Sequence, residues 1–149
     1  MTPGRSEEIP EVVVPLTVYF YDTDAAGVVH NIAYLRMIEA ARTDLATRLG
    51  WSMTEMMTGE FGCPVVARTE IDYLRPARLG ESLLARARLD GVERVRFRVR
   101  TQVERAGDGL VFCQAVQTLV TVDLKTGRPR PLREDWRRRW GGCSEVRGS

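Results

Sequence analysis

The 149-residue sequence has one lysine, one histidine, three scattered cysteines and no long apolar run, and each shortage excludes a class of protein. Cys63, Cys113 and Cys143 are odd in number and form no C-x-x-C pair, which argues against a zinc knuckle or dithiol redox motif and for a reducing compartment. No stretch approaches the roughly 20 apolar residues of a membrane span. Met1 to Glu11 carries Pro3, Pro10 and three acids and lacks the apolar core of a secretory signal. The protein is therefore read as cytoplasmic, without an integral membrane segment. There is little net charge either: 22 basic against 20 acidic residues leave +2, too weak a field for a dedicated nucleic-acid binder. Because Lys125 is the only lysine, nearly all positive charge is guanidinium, suited to planar, bidentate anion contacts.

What is present is an ordinary globular composition, 44% hydrophobic and 28% charged, at a length that suits one domain able to hold a core without metal or disulfide. Residues 1–11 are read as a mobile leader, 12–132 as the domain, and 133–149 as an Arg/Trp-rich tail with a disordered end from Gly141. The β-branched and aromatic run Val12 to Phe20 predicts a first strand, with Pro15 placing it at a sheet edge. The turn formers Tyr21 to Gly27 follow. From Asn31 the period changes: Tyr34, Ile38, Ala41, Leu45 and Leu49 share a helical face, with Asn31 as N-cap and Gly50 as stop. After a mixed stretch come extended runs at Val65–Leu74, Glu81–Leu89, Val92–Val103 and Leu110–Leu124. Turns are expected at Asp90-Gly91, Ala106 to Gly109 and Lys125 to Gly127. The fold class is α+β, one long helix on a face of an antiparallel sheet of about five strands.

The chemistry-bearing segment is Tyr21-Asp22-Thr23-Asp24-Ala25-Ala26-Gly27-Val28-Val29-His30-Asn31. A carboxylate in a tight loop directly before a helix N-terminus faces free N–H groups and a dipole that favour developing negative charge. Asp24 can attack a carbonyl or position water there while a helix-end amide polarises the carbonyl oxygen. The competing reading is an Asx-turn or a cap. Asp22 is read as a brace of the loop.

Asp-Thr-Asp-Ala-Ala-Gly-Val-Val, followed by Asn31, Tyr34, Glu39, Ala41 and Arg42, closely resembles the hot-dog thioesterases of the YbgC and 4-hydroxybenzoyl-CoA thioesterase family. Tyr73 to Gly80 and Gly127 to Pro131 add to the resemblance, which covers roughly Val14 to Pro131. It implies a hot-dog fold: a long central helix wrapped by a curved antiparallel sheet, pairing into homodimers with a continuous sheet and often into homotetramers, with sites between subunits. It implies an acyl-CoA thioesterase that yields a carboxylic acid and free coenzyme A. Asp24 would be the catalytic carboxylate, as nucleophile or general base, and an amide near Asn31 the oxyanion donor. Coenzyme A enters only as part of the substrate, so no cofactor and no metal are implied. The family's Tyr-His stands here as His30-Asn31, so His30 either takes a direct part or packs or caps.

Arg94, Arg96, Arg98 and Arg100 alternate and should share a strand face. Arg94 and Arg96 are candidates for the phosphates of coenzyme A, against the reading of a solvated face or subunit contact. Glu39 and Arg42 form an i,i+3 pair. Trp136 to Trp140 either touches a membrane or nucleic acid or packs on its own protein, and Cys63 lines a pocket or the core. The alternatives to an acyl-CoA substrate are an acyl-carrier-protein thioester and a non-catalytic acyl-CoA-binding module. Asp24 argues against the binder.

Overall fold

The computed structural model describes residues 9–142. The expected mobility of 1–8 and disorder of 143–149 lie outside the described residues. Five strands form one antiparallel sheet: β1 (Glu11–Thr17), β2 (Cys63–Tyr73), β3 (Ser82–Val92), β4 (Arg96–Arg105) and β5 (Val111–Val122), in the order β1-β3-β4-β5-β2. The long helix α1 (Asn31–Arg48) lies against β1, β3 and β4, and two short helices follow, α2 (Met53–Thr58) and α3 (Glu134–Trp140).

The core sits between α1 and the sheet because both have one apolar face. Tyr34, Ile38, Ala41, Leu45 and Leu49 are all buried, joined by Ala33 and Met37. From the sheet, Leu83, Ala85, Ala87 and Leu89 of β3 alternate inward, as do Phe97, Val99 and Val103 of β4. Gly50, at φ +89°, turns the chain out of α1 in a conformation that costs glycine little.

Four local expectations are corrected. β1 ends at Thr17, and Phe20–Asp22 forms a 3-10 turn, because the Asp22 carboxylate is drawn inward to the Tyr19 amide and to Arg36. The N-cap of α1 is His30, so Asn31 is its first helical residue. Asp90-Gly91 makes no reversal: Gly91 lies inside β3 at a register shift between Leu89 and Val92, a bulge that closes against Arg98, and the chain turns at 93–95. Arg94 consequently belongs to that turn and not to the alternating row, which begins at Arg96.

β2 is the outer strand beyond β5, not the neighbour of β3, and its free edge is long. Val65 and Val66 are exposed there, and its pairing with β5 shifts register between Val66 and Arg68. At the other end of the core α3 places Trp136 and Trp140 among Trp51 and Phe97, with ring centroids 5.3 to 6.2 Å apart. Trp136 and Trp140 are buried, so the Arg/Trp cluster packs on its own protein, and its arginines Arg137, Arg138 and Arg139 remain outside.

Candidate active site

The loop between β1 and α1 is a closed structure, stitched by its own polar groups. The Asp24 amide donates to the Val28 carbonyl (2.9 Å) and the Gly27 amide to the Asp24 carbonyl (3.0 Å), with Gly27 at φ +74°. Asp24 Oδ1 accepts from the amides of Ala26 (2.8 Å) and Val28 (3.4 Å), an Asx-turn, while no donor among the described residues reaches Oδ2. The carboxylate is exposed. Two further bonds tie the loop to the segment before β3: the Val29 amide donates to the Ala77 carbonyl and the Leu79 amide to the Gly27 carbonyl.

Asp22 points the other way. It is buried, accepts two hydrogen bonds from Arg36 Nη2 at 2.9 and 2.8 Å and a longer one from Nε, and also takes the Tyr19 amide. Its backbone carbonyl accepts from the His30 amide (2.9 Å). The first aspartate therefore clamps the loop to α1 and leaves the second to face solvent. Arg36 is a site-supporting residue that sequence reading missed, since its place on the polar side of α1 carried no sign of a buried acid across the loop.

His30 joins loop to helix with both ring nitrogens. Nδ1 accepts the Ala33 amide (3.1 Å), which requires it to be unprotonated, and Nε2 lies 3.1 Å from the Tyr21 carbonyl, to which it donates. Cap replacement by alanine costs about 1 kcal/mol, and asparagine is a preferred cap. His30→Ala is thus expected to lose about that much stability and His30→Asn to regain most of it, as urea unfolding of the three proteins would read; an alanine variant as stable as the parent would show the cap to be idle. With Ala33 satisfied, the Asn31 amide at the helix start has no acceptor among the described residues, and the first turn of α1 holds no acid.

Beside that amide runs a groove of about 300 Å³ lined by Val29, Asn31, Tyr34, Tyr73, Leu74, Arg75 and Pro76. The Tyr73 hydroxyl donates to the Asn31 carbonyl (3.3 Å), and the buried Tyr34 hydroxyl accepts the Ala77 amide (3.1 Å). Burial holds both phenols above their ordinary range, so both stay protonated. Tyr73 was legible only as part of a resembling segment; nothing in its spacing marked it as a neighbour of Asn31.

Arg94 and Arg96 are not brought to this place within one chain. The Asp24 loop meets the residues that precede β3, and Arg94 follows its far end, across 11 strand residues or roughly 35 Å. Arg96 and Arg98 pair with Glu93 (3.5 and 3.7 Å), and Arg100 with the buried Asp90 (3.1 Å), all on the outer sheet face. Glu39 stands 3.9 Å from Arg42. No group of three or more histidines, cysteines and acids that could hold a metal occurs among the described residues.

Cys63 is half-buried and Cys113 buried, the latter with its thiol pushed up to about 12 by desolvation. A maleimide at neutral pH is expected to leave Cys113 unmodified in the native protein and to label it after unfolding, as peptide masses would show. Native labelling would contradict its burial. The unfolded thiol ionises near 9.0, so this group lowers stability as pH rises from about 9 towards about 12.

A family model described as the thioesterase-like superfamily matches residues 18–140. The chain is 29% identical over 118 residues to the acyl-CoA thioesterase YbgC of Haemophilus influenzae, covering 79% of this chain and 84% of that protein. It is 28% identical over 120 residues to a 1,4-dihydroxy-2-naphthoyl-CoA hydrolase of Synechocystis, covering 80% and 86%. A thioesterase from Thermus thermophilus, solved with coenzyme A and Zn, superposes with a TM-score of 0.73 at 34% identity, covering 90% of this chain and 94% of that one.

Proposed function

The chain belongs to the thioesterase-like superfamily as an acyl-CoA thioester hydrolase, and we propose that Asp24 and the start of α1 carry its chemistry. The observation that supports this most is the division of labour in the Asp24 carboxylate: Oδ1 fixes the side chain in its turn and Oδ2 is left to react. In this reading the thioester carbonyl oxygen meets the Asn31 amide, where the aligned dipoles of an 18-residue helix favour the charge that develops on it. Asp24 either attacks the carbonyl carbon, expelling the coenzyme A thiolate to leave a mixed anhydride that water opens, or takes a proton from the attacking water. Both routes release a carboxylic acid and free coenzyme A. His30 acts in positioning, by capping the helix that offers the amide.

A homodimer belongs to the same proposal. β2 offers an 11-residue free edge with exposed Val65 and Val66, the kind of edge that proteins cover or pair. Pairing there would extend one sheet into the other.

The test is free-thiol release from a panel of short, medium, long and aromatic acyl-CoAs. Turnover on one or more supports the reading, and the ranking defines the acyl preference. Failure on all of them, with release from an acyl-carrier-protein thioester, would move the substrate to the carrier protein; binding without release of either would leave a binding module.

A further inference from the structure

The arginines of this chain fall into two populations. Those on the outer face of the sheet are neutralised: Arg86 by Glu11 and Glu104, Arg96 and Arg98 by Glu93, and Arg100 by the buried Asp90. Those around α3 are not. Trp136 and Trp140 turn inward and leave Arg137, Arg138 and Arg139 on the exposed side of that helix. On one flank the Trp136 indole donates to the Leu49 carbonyl, next to the exposed Arg48. On the other, the Leu132 amide donates to the Arg94 carbonyl (2.8 Å) and Gly141 bridges to Val92, which brings the exposed Arg94 of the 93–95 turn alongside. Arg48, Arg94, Arg137 and Arg138 have no acid within ion-pair distance among the described residues, and Arg137 Nε meets only the neutral Leu132 carbonyl. Of the nearby acids, Asp135 is taken by Arg133 and Glu93 by Arg96 and Arg98. That leaves Glu134 on α3 and Asp44 on α1 to set against five exposed guanidinium groups.

We propose that this end of the molecule docks electrostatically on an anionic phospholipid surface. The charge supplies the attraction, and the absence of other features there narrows the partner. The exposed large apolar side chains among the described residues all lie elsewhere, none within 44–50, 92–96 or 132–142. A protein partner is held through a buried apolar or aromatic centre, which this surface does not offer. Single-stranded nucleic acid is held by stacking on exposed rings, and both tryptophans here are inside. A leaflet of phosphate headgroups asks for neither, because basic side chains near it bind through its surface potential alone. Guanidinium suits such a surface, since its fork takes two phosphate oxygens at once. The docking end stands a full strand length from the Asp24 loop, so docking leaves the candidate site open. Long-tailed acyl thioesters and free acids are amphiphiles that gather at lipid surfaces, so the contact would hold a thioester hydrolase beside its reactants; the docking itself needs no turnover.

Sedimentation of the full chain with vesicles tests this, at neutral pH and low salt. Vesicles of phosphatidylcholine alone are compared with vesicles in which a third of the lipid is phosphatidylglycerol. Binding is expected to the mixed vesicles and not to the neutral ones, and should be lost at about 1 M salt, where the screening length is about 3 Å. Arg94→Gln with Arg138→Gln removes two side chains that make no contact in the fold. It should weaken binding about tenfold or more, each basic side chain near an anionic leaflet counting for roughly fivefold. Arg75→Gln with Arg78→Gln removes the same charge near the Asp24 loop and should leave binding unchanged. No binding to the mixed vesicles, equal binding to both kinds, binding that survives high salt, or equal weakening by the two double variants overturns the proposal. Tighter binding to duplex DNA than to the mixed vesicles in the same buffer also overturns it and assigns the surface to nucleic acid.

Discussion

Asp24→Asn is expected to reduce kcat for acyl-CoA hydrolysis by about 10² to 10⁴-fold, the range attached to loss of a positioned general base and a lower bound for loss of a nucleophile. Stability should hardly change. An asparagine keeps a carbonyl oxygen that accepts the amides of Ala26 and Val28, so the Asx-turn persists and the loop stays in place. What disappears is the negative charge on the oxygen that no protein donor occupies. Steady-state thiol release with the best substrate, beside thermal unfolding of both proteins, separates the two effects. Full activity in a folded Asn variant would remove Asp24 from the chemistry; lost activity together with a lost fold would return it to the structural role of a turn residue.

Trp136→Ala should give the largest loss of stability, about 3 to 5 kcal/mol, as truncation of a buried aromatic side chain does. Trp136 is 1% exposed and stands edge-on to Trp51, Phe97 and Trp140, so its removal opens a cavity bordered by three rings that cannot all close on it. Its indole N–H also donates to the Leu49 carbonyl (3.1 Å), which would lose its tie to α3. Against a typical domain stability of about 5 to 15 kcal/mol this is a large fraction, equivalent to roughly 10 °C or more in Tm. Urea and thermal unfolding followed by circular dichroism measure it. A loss under about 1 kcal/mol would mean that α3 is not docked in solution.

The contrast between α1 and α3 shows what was legible in the sequence. In α1 the apolar positions recur at helical spacing over five turns, so Tyr34 to Leu49 read as a buried face and are one. In α3 there are seven residues, and two tryptophans four apart among three arginines are as consistent with a surface as with a core. Only tertiary packing decides. The helix start was misplaced by one residue because histidine is an uncommon cap, although its Nδ1 accepts as an Asn side chain does. Asp90-Gly91 has the composition of a reversal, but Asp90 is pulled inside by Arg100 and the glycine makes a bulge instead. Strand order was not recoverable from local signals, since the pairing of β2 with β5 joins segments some fifty residues apart. For the site, the Asp24 loop and the start of α1 were legible as neighbours in sequence. The inward clamp of Asp22 on Arg36 and the Tyr73 contact with the Asn31 carbonyl were not, because each joins residues that sequence spacing does not bring together.

The register shift in β2 limits which strands can add to its open edge. Between Val66 and Arg68 the ladder to β5 skips a residue, and a bulge of this kind bends and twists the strand that carries it. A straight foreign strand can follow such an edge for only a few residues before its amides and carbonyls fall out of step. In the proposed homodimer, a second copy bent at the same place would present a matching curve. On the proposed homodimer, the irregularity would disfavour pairing with unrelated strands while leaving pairing with a second copy open, a device for keeping a long, partly apolar edge from collecting other chains.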